Sequence, residues 1–384
     1  MAKKPAKILY GCGADSYYAM RMDVPDPYLW YQDSRGETHA VMSALEIDRA
    51  RKNAKVDHVH DMGKVVSELQ EAGKPTDPGH QALWLTGLDN PDEVIAPRDF
   101  PVALADTIRG GGVNLKPCDG HFFPARAIKT LEEVRAIREA QALNEEAFKR
   151  AFAVLGEAEI GKDDALYWQG EALTSEVLRG QMNAVIAAGG GMPSDLIVAG
   201  GQQGADPHER GHGPLKAHQL IIIDSWPRGP SGNFYYGDLT RTVLKGTPTD
   251  AQQKIYDTVK KGQRIALEMI SADVSGKDVH EAIEAYFEEQ GYKTGHDDQG
   301  RNVGFFHGTG HSVGLEVHDK GPGITRGRPT DREKPAKLQP GLVVTVEPGL
   351  YYPDIGGVRI EDIVHVTKDG IENLTTLPKE LVIA

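Results

Sequence analysis

Residues 219–242 read QLIIIDSWPRGPSGNFYYGDLTRT. The apolar run Leu220–Ile223 has the length and composition of a buried strand. It ends in Asp224, and fourteen residues later Asp238 stands in GDLTRT. The same pattern recurs twice downstream. Glu347 ends Val343-Val-Thr-Val346, and Glu361 lies between Val358-Arg-Ile360 and Asp362-Ile-Val-His-Val366. A buried, unpaired carboxylate costs several kcal/mol or takes up a proton. One acid at a strand end can be a structural hydrogen-bonder. Three of them call for a shared neutraliser, and a divalent metal pair is the simplest. Adding Asp238, and His311 from HGTGHSVGLEVHD, gives two Asp, two Glu and one His. Oxygen-rich donors with one imidazole suit manganese, cobalt, iron or zinc better than a thiolate-loving ion. Two ions about 3.5–4 Å apart need carboxylates that bridge them. The residues alone therefore point to a dinuclear hydrolase.

Composition bounds the rest. The 384 residues suggest two domains, and 39% hydrophobic with 26% charged residues fits a globular chain with a sizeable core. The formal charge of −13 argues against a nucleic-acid or anionic-membrane partner. Cys12 and Cys118 form neither a disulfide framework nor a thiolate metal site. The apolar stretch Ile8–Tyr10 is too short for a signal peptide, and no segment approaches the roughly 18 apolar residues of a membrane span. The expectation is a cytoplasmic protein.

Along the first third, strand patterns at Lys7–Tyr10 and His39–Met42 alternate with a charged helical stretch at Ser43–Lys55. Gln81–Thr86 and Asp92–Pro97 suggest further strand-and-turn material, and Asp99–Ile108 a helix, which together describe an α/β module over 1–126. Thr130 followed by Glu133 predicts a capping box opening a helix through Lys149 into Ala153, the start of a second domain over 127–384. From Met182 the glycine-rich segment predicts strands and tight turns. Helices are expected at Asp250–Ser271 and Lys277–Gln290, and strands at Leu342–Val346, Gly357–Ile360 and Ile363–Val366.

Three motifs mislead. Gly11-x-Gly13 follows a strand-like run, but Ser16 holds the third glycine position of a dinucleotide loop, and Pro25 and Pro27 leave no room for an immediate crossover helix. The glycines of Gly308–Gly314 carry no GK[ST] phosphate signature. His208-Glu-Arg-Gly-His212 matches H-E-x-x-H, which works only on a helix. Pro207, Gly211 and Pro214 argue against that helix, the glycine alone costing about 1 kcal/mol.

The ordered set IIIDSWPR, GDLTRT, GTGHSVGLEVHD, TVEPGLYY and GGVRIED resembles the pita-bread metallopeptidases, the superfamily of methionine aminopeptidase, aminopeptidase P and prolidase. The resemblance covers roughly 127–384, and the N-terminal third is similar to their smaller creatinase-type domain. It implies an α+β fold: a pita-bread catalytic domain preceded by an α/β creatinase-like domain. It implies that Asp224 chelates one metal, that Asp238 and Glu361 bridge, and that His311 and Glu347 complete the other site. Two divalent ions are expected, manganese first, with cobalt, zinc or iron as alternatives. A metal-bridging hydroxide would attack the peptide carbonyl while Glu347 shuttles its proton. His318 and His208 match substrate-side histidines, His307 a third pocket histidine, and Arg359 an arginine near the metals. Thr240 would support the site by hydrogen bonding.

Two departures stand out. The family usually separates the first two aspartates by eleven residues, so Trp226–Tyr236 must absorb the extra length as a longer hairpin. The loop 319–338 is also long and charged, and is expected at the pocket mouth. The extra N-terminal domain and GGVRIED favour Xaa-Pro cleavage, of the aminopeptidase P type or, as the alternative, the prolidase type. Prolidases carry an arginine about fourteen residues before the glutamate of EPG. Here Glu333 stands there, with Arg332, Arg328 and Arg326 nearby. A creatinase-like C–N hydrolase or a non-enzymatic pita-bread binding protein would lack the five ligands. The expected partners are small peptides, with no nucleic acid and no membrane, and a second copy of the chain in a homodimer.

Overall fold

A computed structural model describes residues 4–230, 232–327 and 337–384. Arg328, Arg332 and Glu333, weighed above as carboxylate contacts, lie outside the described residues. The chain divides into two compact units, Met1–Pro124 and Ala125–Ala384. Among the described residues no helix is long and apolar enough to cross a membrane.

The first unit is built on a six-stranded mixed sheet. Its elements are β1 (Ala6–Gly11), α1 (Ala14–Met20), β2 (Tyr28–Gln32), β3 (Thr38–Met42), α2 (Ile47–Asn53), β4 (His58–Asp61), α3 (Met62–Glu71), α4 (Pro78–Thr86), β5 (Val94–Ala96), α5 (Val102–Gly110) and β6 (Leu115–Pro117). The strand order is β4-β3-β2-β1-β5-β6. α1 follows Gly11-x-Gly13 but is not a crossover helix: it leads into β2, which pairs antiparallel with β1, so no βαβ phosphate loop forms. One expectation fails here. Gln81–Thr86 is helix rather than strand. Asp77 accepts hydrogen bonds from the Gly79 and His80 amides, and Pro78 sits in the first turn, so a Asp-Pro helix start outweighs the short apolar run.

In the second unit α6 (Leu131–Glu157) opens on the expected capping box: the Thr130 amide donates to Glu133 and the Glu133 amide to Thr130 Oγ1. A three-stranded sheet follows, β7 (Glu159–Ile160), β8 (Leu166–Trp168) and β9 (Glu171–Ala172), and then α7 (Ser175–Ala188). Met182–Ala188, expected as strand and turn, is the last half of α7. Leu178, Met182 and Ile186 recur at i, i+4, i+8 and are buried against α6. The glycines break the chain only from Gly189.

A second sheet comprises β10 (Ile197–Gly200), β11 (Ile221–Ser225), β12 (Leu239–Lys245) and β20 (Val382–Ile383). Strand periodicity splits it cleanly. Ile221, Ile223, Leu239 and Val243 join the core with α6 and α7. Ile222 packs with Tyr351 elsewhere, and Asp224, at the same parity, shares that other face. Helices α8 (Asp250–Met269) and α9 (Gly276–Glu289) cover the remaining strands. These are the pair β13 (Gly295–His296) and β14 (Asn302–Val303), then β15 (Val343–Val346), β16 (Gly349–Tyr352), β17 (Gly356–Arg359), β18 (Asp362–Thr367) and β19 (Gly370–Asn373).

Residues 226–230 and 232–236 pair as the two arms of a hairpin. Arg228 bridges Met192 on one side and Tyr236 on the other, and the Gly229 amide donates to Tyr235 O at 2.9 Å. Asn233 and Tyr235 anchor it to Ala136 O and Glu133 of α6. At its exit a Cβ on Gly237 would sit 2.9 Å from the α6 backbone at Ala140, so only glycine lets β12 start this close to the helix. The extra length is thus taken up before Asp238.

Candidate metal centre

Strand alternation puts Asp238, just before β12, on the same face as Thr240 and Thr242 within it, at i, i+2 and i+4. Thr240 Oγ1 donates to Glu361 Oε2 at 2.8 Å, and the Glu361 amide donates to Thr240 O at 3.0 Å. Thr242 Oγ1 donates to Arg359 O. On β15, Val344 and Val346 face the α8–α9 core, which leaves Thr345 on the opposite face. Thr345 Oγ1 accepts from the His311 amide at 3.0 Å and donates to Glu347 Oε1 at 3.2 Å. Two strands from separate parts of the sequence thereby aim their threonines at the proposed ligands.

Asp238, His311 and Glu361 each bring one donor atom to within 4.8 Å of the other two. His311 Nε2 lies 3.6 Å from Asp238 Oδ2 and 3.3 Å from Glu347 Oε1. Asp224 pairs with Thr240 across β11 and β12. Its Oδ2 accepts from Arg359 Nη2 at 2.7 Å, while its Oδ1 is buried with no hydrogen-bond partner among the described residues.

The electrostatics follow from packing four carboxylates together. Burial first, then Asp224 and Glu347, push Asp238 well above the usual carboxylate range, with Arg359 opposing. Burial and the same neighbours, Asp238 foremost, raise Glu361. Burial lifts Glu347 to about 7 against the pull of Arg359. Burial lowers His311, whose Nδ1 faces Ser312 O at 3.3 Å, so the neutral ring directs its Nε2 lone pair at the acids. An orphaned carboxylate oxygen, a neutral imidazole and mutually repelling buried acids fit a pair of divalent cations.

Around this cluster, His318 is exposed and stands edge-on to His311, ring centroids 4.2 Å apart. His208 lies in an exposed turn, next to Pro207, whose carbonyl accepts from Arg359 Nη1. The H-E-x-x-H helix does not form. Gly211 adopts φ +77° with its Cα against β10, where a Cβ would meet Val198 O at 1.7 Å. His307 Nδ1 lies 2.7 Å from Gly308 O and its Nε2 2.8 Å from Tyr351 Oη. Arg359 Nη1 donates to the same Tyr351 oxygen at 2.8 Å. The ordering is therefore Arg359 to Tyr351 Oη, and Tyr351 O–H to His307 Nε2. Burial pushes His307 down to about 3, which keeps it the acceptor. Arg326 is paired with Glu284 of α9.

Sequence reasoning passed over Tyr351 and Thr345. Tyr351 had a signal: a tyrosine in a buried strand four residues after Glu347 must find a partner for its hydroxyl. Thr345 had none beyond its place in Val-Val-Thr-Val.

The model of metallopeptidase family M24 matches residues 135–368. A curated Xaa-Pro dipeptidase of Pyrococcus furiosus is 34% identical over 268 residues, 69% of this chain and 68% of the relative. The chain spans about two thirds of the length of the curated relatives it matches, from 65% to 68% in the first three. Among solved structures, the Xaa-Pro dipeptidase from Bacillus anthracis superposes with a TM-score of 0.78 at 23% identity, covering 99% of this chain and 95% of that one. The X-Pro aminopeptidase from Thermotoga maritima gives 0.78 at 21%, covering 100% and 98%. These likenesses establish the shared fold.

Proposed function

This chain belongs to metallopeptidase family M24, and from that premise we propose that it hydrolyses Xaa-Pro peptides with two divalent ions held by Asp224, Asp238, His311, Glu347 and Glu361. The observation that carries the reading is the convergence of these donors with an unpartnered Asp224 oxygen among them. Relatives named Xaa-Pro dipeptidase and Xaa-Pro aminopeptidase support the substrate class.

When bound, two such ions supply Lewis acidity toward the scissile carbonyl and a nucleophile competent at neutral pH. The chain's own residues supply the rest. Glu347, largely buried beside His311, takes a proton and returns it to the leaving nitrogen. His318, solvent-facing beside His311, donates to the carbonyl oxygen as charge builds there. His208 borders the same space. The Arg359–Tyr351–His307 chain fixes Asp224 and one wall of the pocket.

Manganese is the working ion in this proposal, because four carboxylates and one imidazole form a hard donor set. Free Cys12 and Cys118 fit a reducing cytoplasm. The homodimer is carried over from the family resemblance. Aminopeptidase P-type cleavage is the first reading. The prolidase reading is favoured by the dipeptidases among the relatives. A matched pair, Xaa-Pro and Xaa-Pro-Yaa-Zaa, decides between them: cleavage of the longer peptide supports the first, and cleavage of the dipeptide alone supports the second.

A further inference from the structure

The first unit gathers a second set of ligating side chains. Parallel pairing of β3 and β4 places His39 opposite His58 and Val41 opposite His60. His58 and His60 are two residues apart, so all three imidazoles share one face at the sheet's edge. The rings stack: His39 and His58 centroids lie 4.6 Å apart, and His39 and His60 5.3 Å apart. His39 is only 4% exposed. Its Nδ1 lies 3.0 Å from His60 Nε2, but its Nε2 is buried with no hydrogen-bond partner among the described residues. An orphaned buried donor or acceptor costs about 1–3 kcal/mol. Histidines that bind metals have this arrangement, one ring nitrogen held by a neighbour and the other left open.

Glu37, just before β3, completes the set. Its Oε2 lies 3.4 Å from His58 Nε2, and Glu37, His39 and His58 each bring a donor atom to within 4.8 Å of the others. Tetrahedral zinc with bonds of about 2.0–2.1 Å separates its ligands by roughly 3.4 Å. The Glu37–His58 spacing already equals this, and both side chains are half exposed and free to close on His39. Buried Asp33 adds a carboxylate 3.9 Å from His39 Nε2. The resident cation is Arg35, whose Nη2 lies 2.7 Å from Asp33 and 3.3 Å from Glu37. Its side chain is 65% exposed and can swing into solvent when a stronger cation takes Glu37.

We infer that Glu37, His39 and His58 form a binding site for a zinc-class divalent ion in the N-terminal unit, with water in the open position and His60 orienting His39. Two imidazoles and one carboxylate make this a softer donor set than the carboxylate-rich centre of the second unit, and it selects zinc over manganese.

Zinc content of the dialysed full-length protein tests this. Asp238→Asn with Glu361→Gln impairs the other centre, and this double variant is compared with and without His58→Ala. The inference predicts that His58→Ala removes one zinc per chain. In the wild-type background the same change leaves manganese-dependent peptide hydrolysis unaltered. Equal zinc in the two proteins overturns the inference. Glu37→Gln, at an exposed position, provides an independent variant and should weaken zinc binding at least tenfold; unchanged affinity there also counts against the site. Circular dichroism confirms that each variant is folded.

Discussion

Arg359 Nη2 donates to Asp224 Oδ2 at 2.7 Å while the other oxygen of that carboxylate stays buried and unpaired. One arginine thus sets the orientation of an aspartate without using up its ligating capacity. Arg359 is itself fixed by Tyr351 and by the Pro207 carbonyl. Replacing Arg359 by Ala should free Asp224 to rotate and weaken metal affinity by about 10–100-fold. Isothermal titration of chelator-treated protein with Mn²⁺ measures this; unchanged affinity would refute the positioning role.

Asp238→Ala removes a buried acid that faces His311, and that the proposal assigns to both ions. Metal-dependent turnover should be abolished while the fold persists, because the change relieves repulsion with Asp224 and Glu347. Retained hydrolysis would sink the dinuclear assignment.

His318→Ala should leave metal content intact and lower kcat by roughly 10²–10³-fold, the cost of one lost donor to a developing oxyanion. Its ring stands edge-on to the His311 ring. Loss of metal on this substitution would place His318 among the ligands instead.

Tyr351→Phe leaves Arg359 Nη1 and His307 Nε2 without the shared hydroxyl. A stability loss of about 1–3 kcal/mol is expected from the unpaired buried groups. Urea denaturation of the metal-free variant reads it directly.

Metal-free protein should lose stability as pH rises. Glu347 has a folded pKa of about 7 against an ordinary value of 4.5, and Asp238 and Glu361 are raised too. Between those values the folded state binds more protons than the unfolded chain, so unfolding becomes easier with increasing pH. For Glu347 this contribution is present below about 4.5 and lost by about 7, at most about 3 kcal/mol. Melting curves from pH 5 to 8 should show a falling Tm without metal and a much flatter one with Mn²⁺. A metal-free Tm that rises over that range contradicts the account.

Of the four acids and one histidine proposed as ligands, Asp224, Glu347 and Glu361 stood out in the sequence because each borders an apolar strand, where a charge is costly, and Asp238 and His311 were added from the neighbouring motifs. Thr240 was accessible by its spacing from Asp238. Tyr351 was not singled out although a tyrosine in a buried strand needs a partner for its hydroxyl, and Thr345 was not because its role depends on pairing between segments far apart in the chain, Ser312 with Val344. The fold was most legible where capping and periodicity agreed, as at Thr130–Glu133 and Asp250–Met269. It was misread where one signal was weighted alone. Glycine content after Gly189 hid the helical spacing of Met182 and Ile186, and the apolar run at 81–86 hid the Asp77-Pro78 helix start.

The most direct test of the central claim is hydrolysis of an Xaa-Pro peptide and its Xaa-Ala counterpart by chelator-treated protein, before and after adding Mn²⁺. The account predicts no cleavage before addition, and cleavage of the proline peptide alone afterwards. Cleavage without metal, or loss of the proline preference with metal present, would contradict it.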